Sequence, residues 1–166
     1  MIVDSYRFLP RSFRPLYEGA GPFDGDGSPV WTPLAKRLSE SRIALLTSAG
    51  LYVRGSQQSF DLEREQEHPE WGDPSWREIP AGAENLGVAH LHINDSDLLA
   101  DPEIALPMGL LATLAREGVI GGTVDEHVAV MGYQHRELRD WRDTTAPELV
   151  AHLRSQGADA LILAPA

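Results

Sequence analysis

The sequence contains no cysteine, which excludes disulfides, thiolate metal sites and a cysteine nucleophile anywhere in its 166 residues. It has no apolar run near the roughly 20 residues that span a bilayer. Its start, Met1-Ile2-Val3-Asp4-Ser5-Tyr6-Arg7, lacks a basic segment followed by an apolar stretch. No membrane partner is therefore expected, and the cytoplasm is the expected location. Basic residues are scarce: 14 against 25 acidic ones give a formal charge of -11, which repels phosphate backbones and anionic surfaces. Nucleic acid is not an expected partner. Gly121-Gly122 lacks the flanking pattern of dinucleotide and triphosphate loops, so no cofactor is expected. There is no Gly-x-Ser-x-Gly elbow, no His-Glu-x-x-His helix and no internal repeat.

What is present reads as one globular domain with an arm. At 18.2 kDa the chain has the size of a single domain, and a domain of about 150 residues buries roughly 68 to 70% of its unfolded surface. Residues 1–30 carry Pro10, Pro15, Pro22 and Pro29 together with Gly19, Gly21, Gly25 and Gly27, too many breakers for a long helix or a central strand. Because they also hold Tyr6, Phe8, Phe13, Tyr17 and Phe23, they are expected to form an irregular arm that packs on the domain or, preferably, on a second subunit. A homo-oligomer is the corresponding expectation.

Residues 31–166 alternate helical and extended patterns. Thr32-Pro33 has the form of a helix start running to about Glu40. Ile43-Ala44-Leu45-Leu46 reads as a buried parallel strand leaving into Thr47-Ser48-Ala49-Gly50. The polar stretch from Gly55 to Pro74 reads as a long exposed loop of the kind used as a lid. Trp76–Ile79 suggests a short edge strand, and Leu86–Ile93 a strand running into Asn94-Asp95-Ser96-Asp97. A helix is expected from Met108 to Glu117, stopped by Gly118, then a strand from His127 to Met131. Thr145-Ala146-Pro147-Glu148 has capping-box spacing for a helix ending at Gly157, and Ala160-Leu161-Ile162-Leu163 is the last strand. This alternation predicts an α/β fold: a doubly wound, mostly parallel sheet with flanking helices.

Ligands of such sheets gather beyond the carboxyl ends of the strands. Four loops are expected to converge there: Thr47–Gly50, His90–Asp97, Met131–Tyr133 and Ala164–Ala166. Thr47, Ser48 and Gly50, with Met131 and Gly132, offer hydroxyls and approachable N–H groups for a small carboxylate, or else form only a tight turn. His90 and His92 project from one strand face with Asp95 within reach. They are either hydrogen-bonded strand-end residues or ligands of a divalent ion. His127, and with less support His135, is either an acid–base group or an ordinary surface histidine. The four tryptophans are read as packing residues.

An ordered series of segments carries a family resemblance. It comprises Leu34–Gly50, Asp73-Pro74-Ser75-Trp76-Arg77-Glu78-Ile79-Pro80, the histidine-bearing segment His90–Asp97, and Leu106-Pro107-Met108-Gly109-Leu110-Leu111 with Glu117-Gly118-Val119-Ile120-Gly121. His127–Gly132 and Gly157–Leu163 complete it. Residues 31–166 resemble the selenoprotein B family of the glycine, sarcosine, betaine and D-proline reductases. The resemblance implies an enzyme that cleaves an α-carbon substituent of an amino-acid derivative with a selenolate or thiolate. Its electrons would come from a thioredoxin-like donor, and other reductase components are implied as partners. It also implies orienting or protonating roles for His90 and His92, with Asp95 fixing an imidazole. In that family the redox selenocysteine or cysteine follows the strand resembling Ala160–Leu163, whereas this sequence stops at Ala164-Pro165-Ala166. The expectation is an amino-terminal fragment left by an in-frame UGA codon, or a natural short paralogue, or a subunit whose partner supplies the other half. Two further readings stand beside it: a non-catalytic carboxylate-binding or assembly protein, and a metal-dependent enzyme using His90, His92 and Asp95.

Overall fold

The computed structural model describes residue 11 and residues 32–68, 71–91, 93–134 and 138–166. Backbone contacts divide the chain after Pro33, and the account below concerns Leu34–Ala166. The expected arm lies outside the described residues apart from Arg11.

The main sheet has five strands: β1 (Arg42–Thr47), β3 (Trp76–Pro80), β5 (Gly122–Thr123), β6 (Glu126–Val130) and β7 (Ala160–Ala164). Strand β1 is central and pairs in parallel with β5, β6 and β7, while β3 pairs antiparallel with β6. Ile43 is matched with both Thr123 and Ala160, and Leu46 with both Val128 and Leu163. Strands β5 and β6 therefore share one side of β1, and β7 holds the other. The sheet is α/β and mostly parallel, as expected.

Successive β1 side chains enter two cores, which is why its sequence is apolar without alternation. Ile43 and Leu45 join Leu106, Met108, Leu111 and Ala129 on one face; Ala44 joins Val128, Val130, Leu149 and Leu153 on the other. The first face is covered by α3 (Met108–Arg116) and the second by α4 (Ala146–Ser155). Both helices stop where Gly118 (φ +71°) and Gly157 (φ +72°) adopt the left-handed conformation that closes a helix without a Cβ penalty. Connections leaving β1 and β6 thus run on opposite faces, which opens a crevice between their carboxyl ends.

Five local expectations are corrected. Thr32-Pro33 starts no helix; only a 3-10 turn at Leu38–Glu40 forms, and Leu34 and Leu38 stay exposed, so no apolar stripe was there to hold a longer one. The 55–74 stretch is not solvated throughout. It contains α1 (Leu62–Glu67), capped by Asp61, and buries Phe60, Glu65 and Asp73.

The strand expected over Leu86–Ile93 is shorter, β4 (Leu86–Val88), and leaves the main sheet to pair antiparallel with β2 (Leu51–Val53). There Gly87 lies against the Tyr52 ring, where any Cβ would collide. Asn94–Asp97 opens α2 (Asp95–Ala100) instead of a loop, with the Asn94 side chain accepting from the Ser96 N–H. Thr145 makes no capping bond. It already has helical dihedrals after a π-helical turn at Trp141–Thr145, and its hydroxyl donates to the Pro74 carbonyl at 2.7 Å.

Candidate functional site

The turn after β1 is built around Gly50. Its φ of +64° suits glycine, and a Cβ there would lie 2.1 Å from the Ala89 carbonyl oxygen. Gly50 N–H donates to the Val130 carbonyl, and its own carbonyl accepts from Ala89 N–H. Thr47 is buried, and its hydroxyl accepts from Ala49 N–H, holding the turn from inside. Gly50 and Thr47 thus shape the end of β1 from beneath.

Above this turn lies a cavity of about 340 Å³ at the carboxyl ends of β1, β6 and β7. Leu46, Val130, Met131, Trp141, Leu163 and Pro165 supply its apolar walls, and Ser48, Gly132 and Gln134 supply the polar edge. Three of the loops expected to converge do so here. The Ser48 N–H donates to the Ala164 carbonyl, and the Ser48 hydroxyl accepts from Ala166 N–H, so one hydroxyl fastens the exit of β7 over β1. Gly132 lies against Ser48, 3.2 Å from its carbonyl oxygen to a would-be Cβ. Gln134 spends its amide nitrogen on the carbonyls of Asp73 and Met131. Of the expected ligand-binding residues, Ser48, Met131 and Gly132 face the cavity and Thr47 and Gly50 do not line it.

The described histidines are dispersed. His127 on β6 is buried, and its Nδ1 accepts from the Leu45 N–H at 3.2 Å. Between the short pairings of β1 with β5 and with β6 the ring takes the place of a backbone acceptor. Burial lowers its pKa to about 4, so the ring is neutral at neutral pH. With Nδ1 accepting, the proton sits on Nε2, which has no hydrogen-bond partner. His90 is half-buried two residues past β4, and Asp95 is exposed in the first turn of α2. His92 and His135 lie outside the described residues.

Among the described residues one grouping has the composition of a metal site: Glu78, Glu126 and His152. His90 and Asp95 do not belong to it. Sequence reasoning missed it because the antiparallel register of β3 and β6 brings the two glutamates together beneath α4. His152 Nδ1 lies 3.4 Å from Glu78 Oε1 and its Nε2 lies 3.7 Å from Glu126 Oε2, with the Gln156 amide nitrogen 2.8 Å from Nε2. The Gln156 amide donates to Nε2, and Nδ1 faces Glu78 Oε1. This clasp ties α4 to the sheet.

The Asp73–Pro80 segment has a comparable structural use. Buried Asp73 accepts from the Asp61 and Ser75 N–H groups and from the Ser75 hydroxyl. Arg77 donates to the carbonyls of Gln58 and Ser59 and stacks 4.3 Å over Phe60. Burial lowers the guanidinium pKa and the nearby Asp73 charge opposes that shift. These residues bind the α1 loop to β3. Leu46, Val130, Gln134, Leu138, Trp141 and Leu163 are cavity residues that the sequence did not mark as site residues. Their signal was positional only: they stand at or next to the carboxyl ends of β1, β6 and β7 or, like Leu138 and Trp141, in the stretch leading into α4.

No helix of the described residues is long and apolar enough to cross a membrane. No family model and no solved structure matches the chain. Two characterised proteins are similar to it. D-proline reductase subunit gamma of Acetoanaerobium sticklandii is 31% identical over 137 residues, 81% of this chain and 52% of that protein. Glycine reductase complex component B subunit gamma of Symbiobacterium thermophilum is 28% identical over 131 residues, 79% of this chain and 30% of that protein. The chain thus spans about half the length of the first relative and under a third of the second. With the segment series noted in the sequence and the mostly parallel sheet that those segments build, these likenesses establish that the chain belongs to the selenoprotein B-like family of the glycine and D-proline reductases.

Proposed function

We propose that this chain forms the substrate-holding part of a selenoprotein B-like reductase and acts on a small amino-acid derivative together with other reductase components. The observation that supports this most is the cavity at the carboxyl ends of β1, β6 and β7. Its apolar walls suit a small carbon skeleton, and Ser48 and Gly132 sit at its polar edge. Ser48, Met131 and Gly132 contact the substrate in this reading, while Thr47 and Gly50 hold the turn beneath it.

With no cysteine in the sequence, the nucleophile comes from outside these residues. A selenolate or thiolate forms a bond to the substrate's α-carbon. The departing substituent leaves with the electron pair of the broken bond and takes a proton. A thiol of a thioredoxin-like donor then attacks the chalcogen, and the α-carbon keeps the electron pair and is protonated. The donor's second thiol completes its disulfide and frees the chalcogen.

His90 is proposed to deliver a proton, oriented by Asp95, with His92 as its neighbour in sequence. Ala89, which packs against Gly50 under the crevice, supports that placement. His127 is proposed as a positioning residue, since its Nδ1 holds the β1 backbone.

Reconstitution tests the reading. Substrate-dependent oxidation of a dithiol is measured with glycine, sarcosine, betaine and D-proline, using the chain mixed with the remaining components of a glycine or D-proline reductase. Turnover of one substrate that disappears when this chain is omitted is the expected result. Equal rates with and without the chain for all four would overturn the reading.

A further inference from the structure

Strand β7 has the sequence of an interior strand and the setting of an edge. Its five residues, Ala160-Leu161-Ile162-Leu163-Ala164, are apolar throughout, a pattern that parallel strands show when both faces are covered. Pairing with β1 occupies one of its sides, and among the described residues no strand occupies the other.

Register fixes where the side chains go. Ile162 is matched to Leu45 and lies on the α3 face; Leu161 and Leu163 are matched to Ala44 and Leu46 and lie on the α4 face. Leu161 is 40% exposed, Ile162 47% and Leu163 65%, so apolar surface is open on both faces of one strand. The same strand supplies Leu163 and Ala164 to the cavity, which is therefore walled on that side by side chains that are themselves uncovered.

We infer that the outer edge of β7 is a docking site for a strand-and-helix unit belonging to the part of the reductase chain that these residues do not span. The length relation supports that occupant, because about half of D-proline reductase subunit gamma lies outside the region matched to this chain. A parallel neighbour needs a helical crossover, and that helix supplies the cover one face of β7 lacks. Docking there extends the sheet and closes the cavity on the Leu163 side. The inference rests on the family reading and deepens it.

The test uses the full chain and, as probe, the polypeptide of D-proline reductase subunit gamma outside the matched region. Amide hydrogen exchange and binding are measured for the chain alone and with the probe. The expected result is at least tenfold slower exchange at residues 160–164 on mixing, with binding weakened at least tenfold in both Ile162→Lys and Leu163→Lys. The two variants should keep the melting temperature of the parent chain, since their side chains are exposed. Protection of 160–164 in the chain alone that is lost on dilution would assign the edge to a second copy and overturn the inference. Binding of the probe without added protection at these residues would overturn it as well. Binding with the expected protection but no turnover in any reconstitution leaves the docking site intact and sinks the proposed reaction.

Discussion

The two edges of the main sheet are built on different rules. Strand β3 carries Arg77, Glu78 and the terminal Pro80, which has no N–H to offer a neighbour, and buries only Ile79 of its five residues. Arg77 also reaches back to the carbonyls of the 58–59 loop. Charge, proline and a covering loop are how a sheet is ended. Among the described residues, strand β7 has none of these devices. The difference teaches that exposure alone does not define an edge: β3 is finished chemically, whereas β7 is uncovered but composed for the interior.

The largest expected effect that bears on this contrast comes from trimming one isoleucine at each edge. Ile79 is fully buried, so Ile79→Ala should cost about 2–5 kcal/mol in urea unfolding. Ile162→Ala on β7 should change the same midpoint by no more than about 0.5 kcal/mol, because that side chain is half exposed already. Equal losses at both positions would erase the distinction between the edges.

Acid should separate the two seams of β1. The folded pKa of His127 is about 4 against an ordinary 6.5, so the unfolded chain takes up a proton that the folded ring refuses. Stability from this group is complete above about pH 6.5 and falls by about 3 kcal/mol by pH 4. His127→Asn, which keeps an acceptor for Leu45 N–H, should remove that acid dependence in unfolding curves taken at pH 7 and pH 4.5. Acid should accordingly loosen the seam facing β6 and leave the seam facing β7. An unchanged pH slope in the variant would show that other groups carry it.

A smaller effect than that of Ile79 or His127 concerns the fastening of the finished edge. Thr145→Val removes the bond to the Pro74 carbonyl just ahead of β3 and should cost about 1 kcal/mol, read from the denaturation midpoint. No loss would mean that the lead-in to β3 is held elsewhere.

The parts legible in the sequence were those where one local signal agreed with the tertiary setting. The apolar runs of β1, β6 and β7 and the glycine stops of α3 and α4 are of this kind. The Thr32–Glu40 expectation failed because a good start signal had no apolar face to follow it, and Leu34 and Leu38 remain in solvent. Thr145 has the spacing of a cap, but the preceding π-helical turn already continues the helix, which frees the hydroxyl for Pro74.

At the site, the convergence of Ser48, Met131 and Gly132 followed from the rule for parallel sheets. The departure of β4 into a separate pairing with β2 did not, because three-residue strands carry too little pattern to choose a partner. The His152 clasp depends on β3–β6 register and was beyond any reading of linear spacing.

The place of β1 at the centre of the sheet also sets an order in time. Its first residues pair with Gly122 and Thr123, and the run Ile43–Thr47 finds one continuous partner only in residues 160–164. A chain emerging from the ribosome must therefore carry Ile43-Ala44-Leu45-Leu46 without its strand partners while everything up to β5 is made. Contacts so distant in sequence make for slow closure and a long exposure of an apolar segment. For this fold, the central strand is the first of the main-sheet strands to be synthesised and among the last to be satisfied.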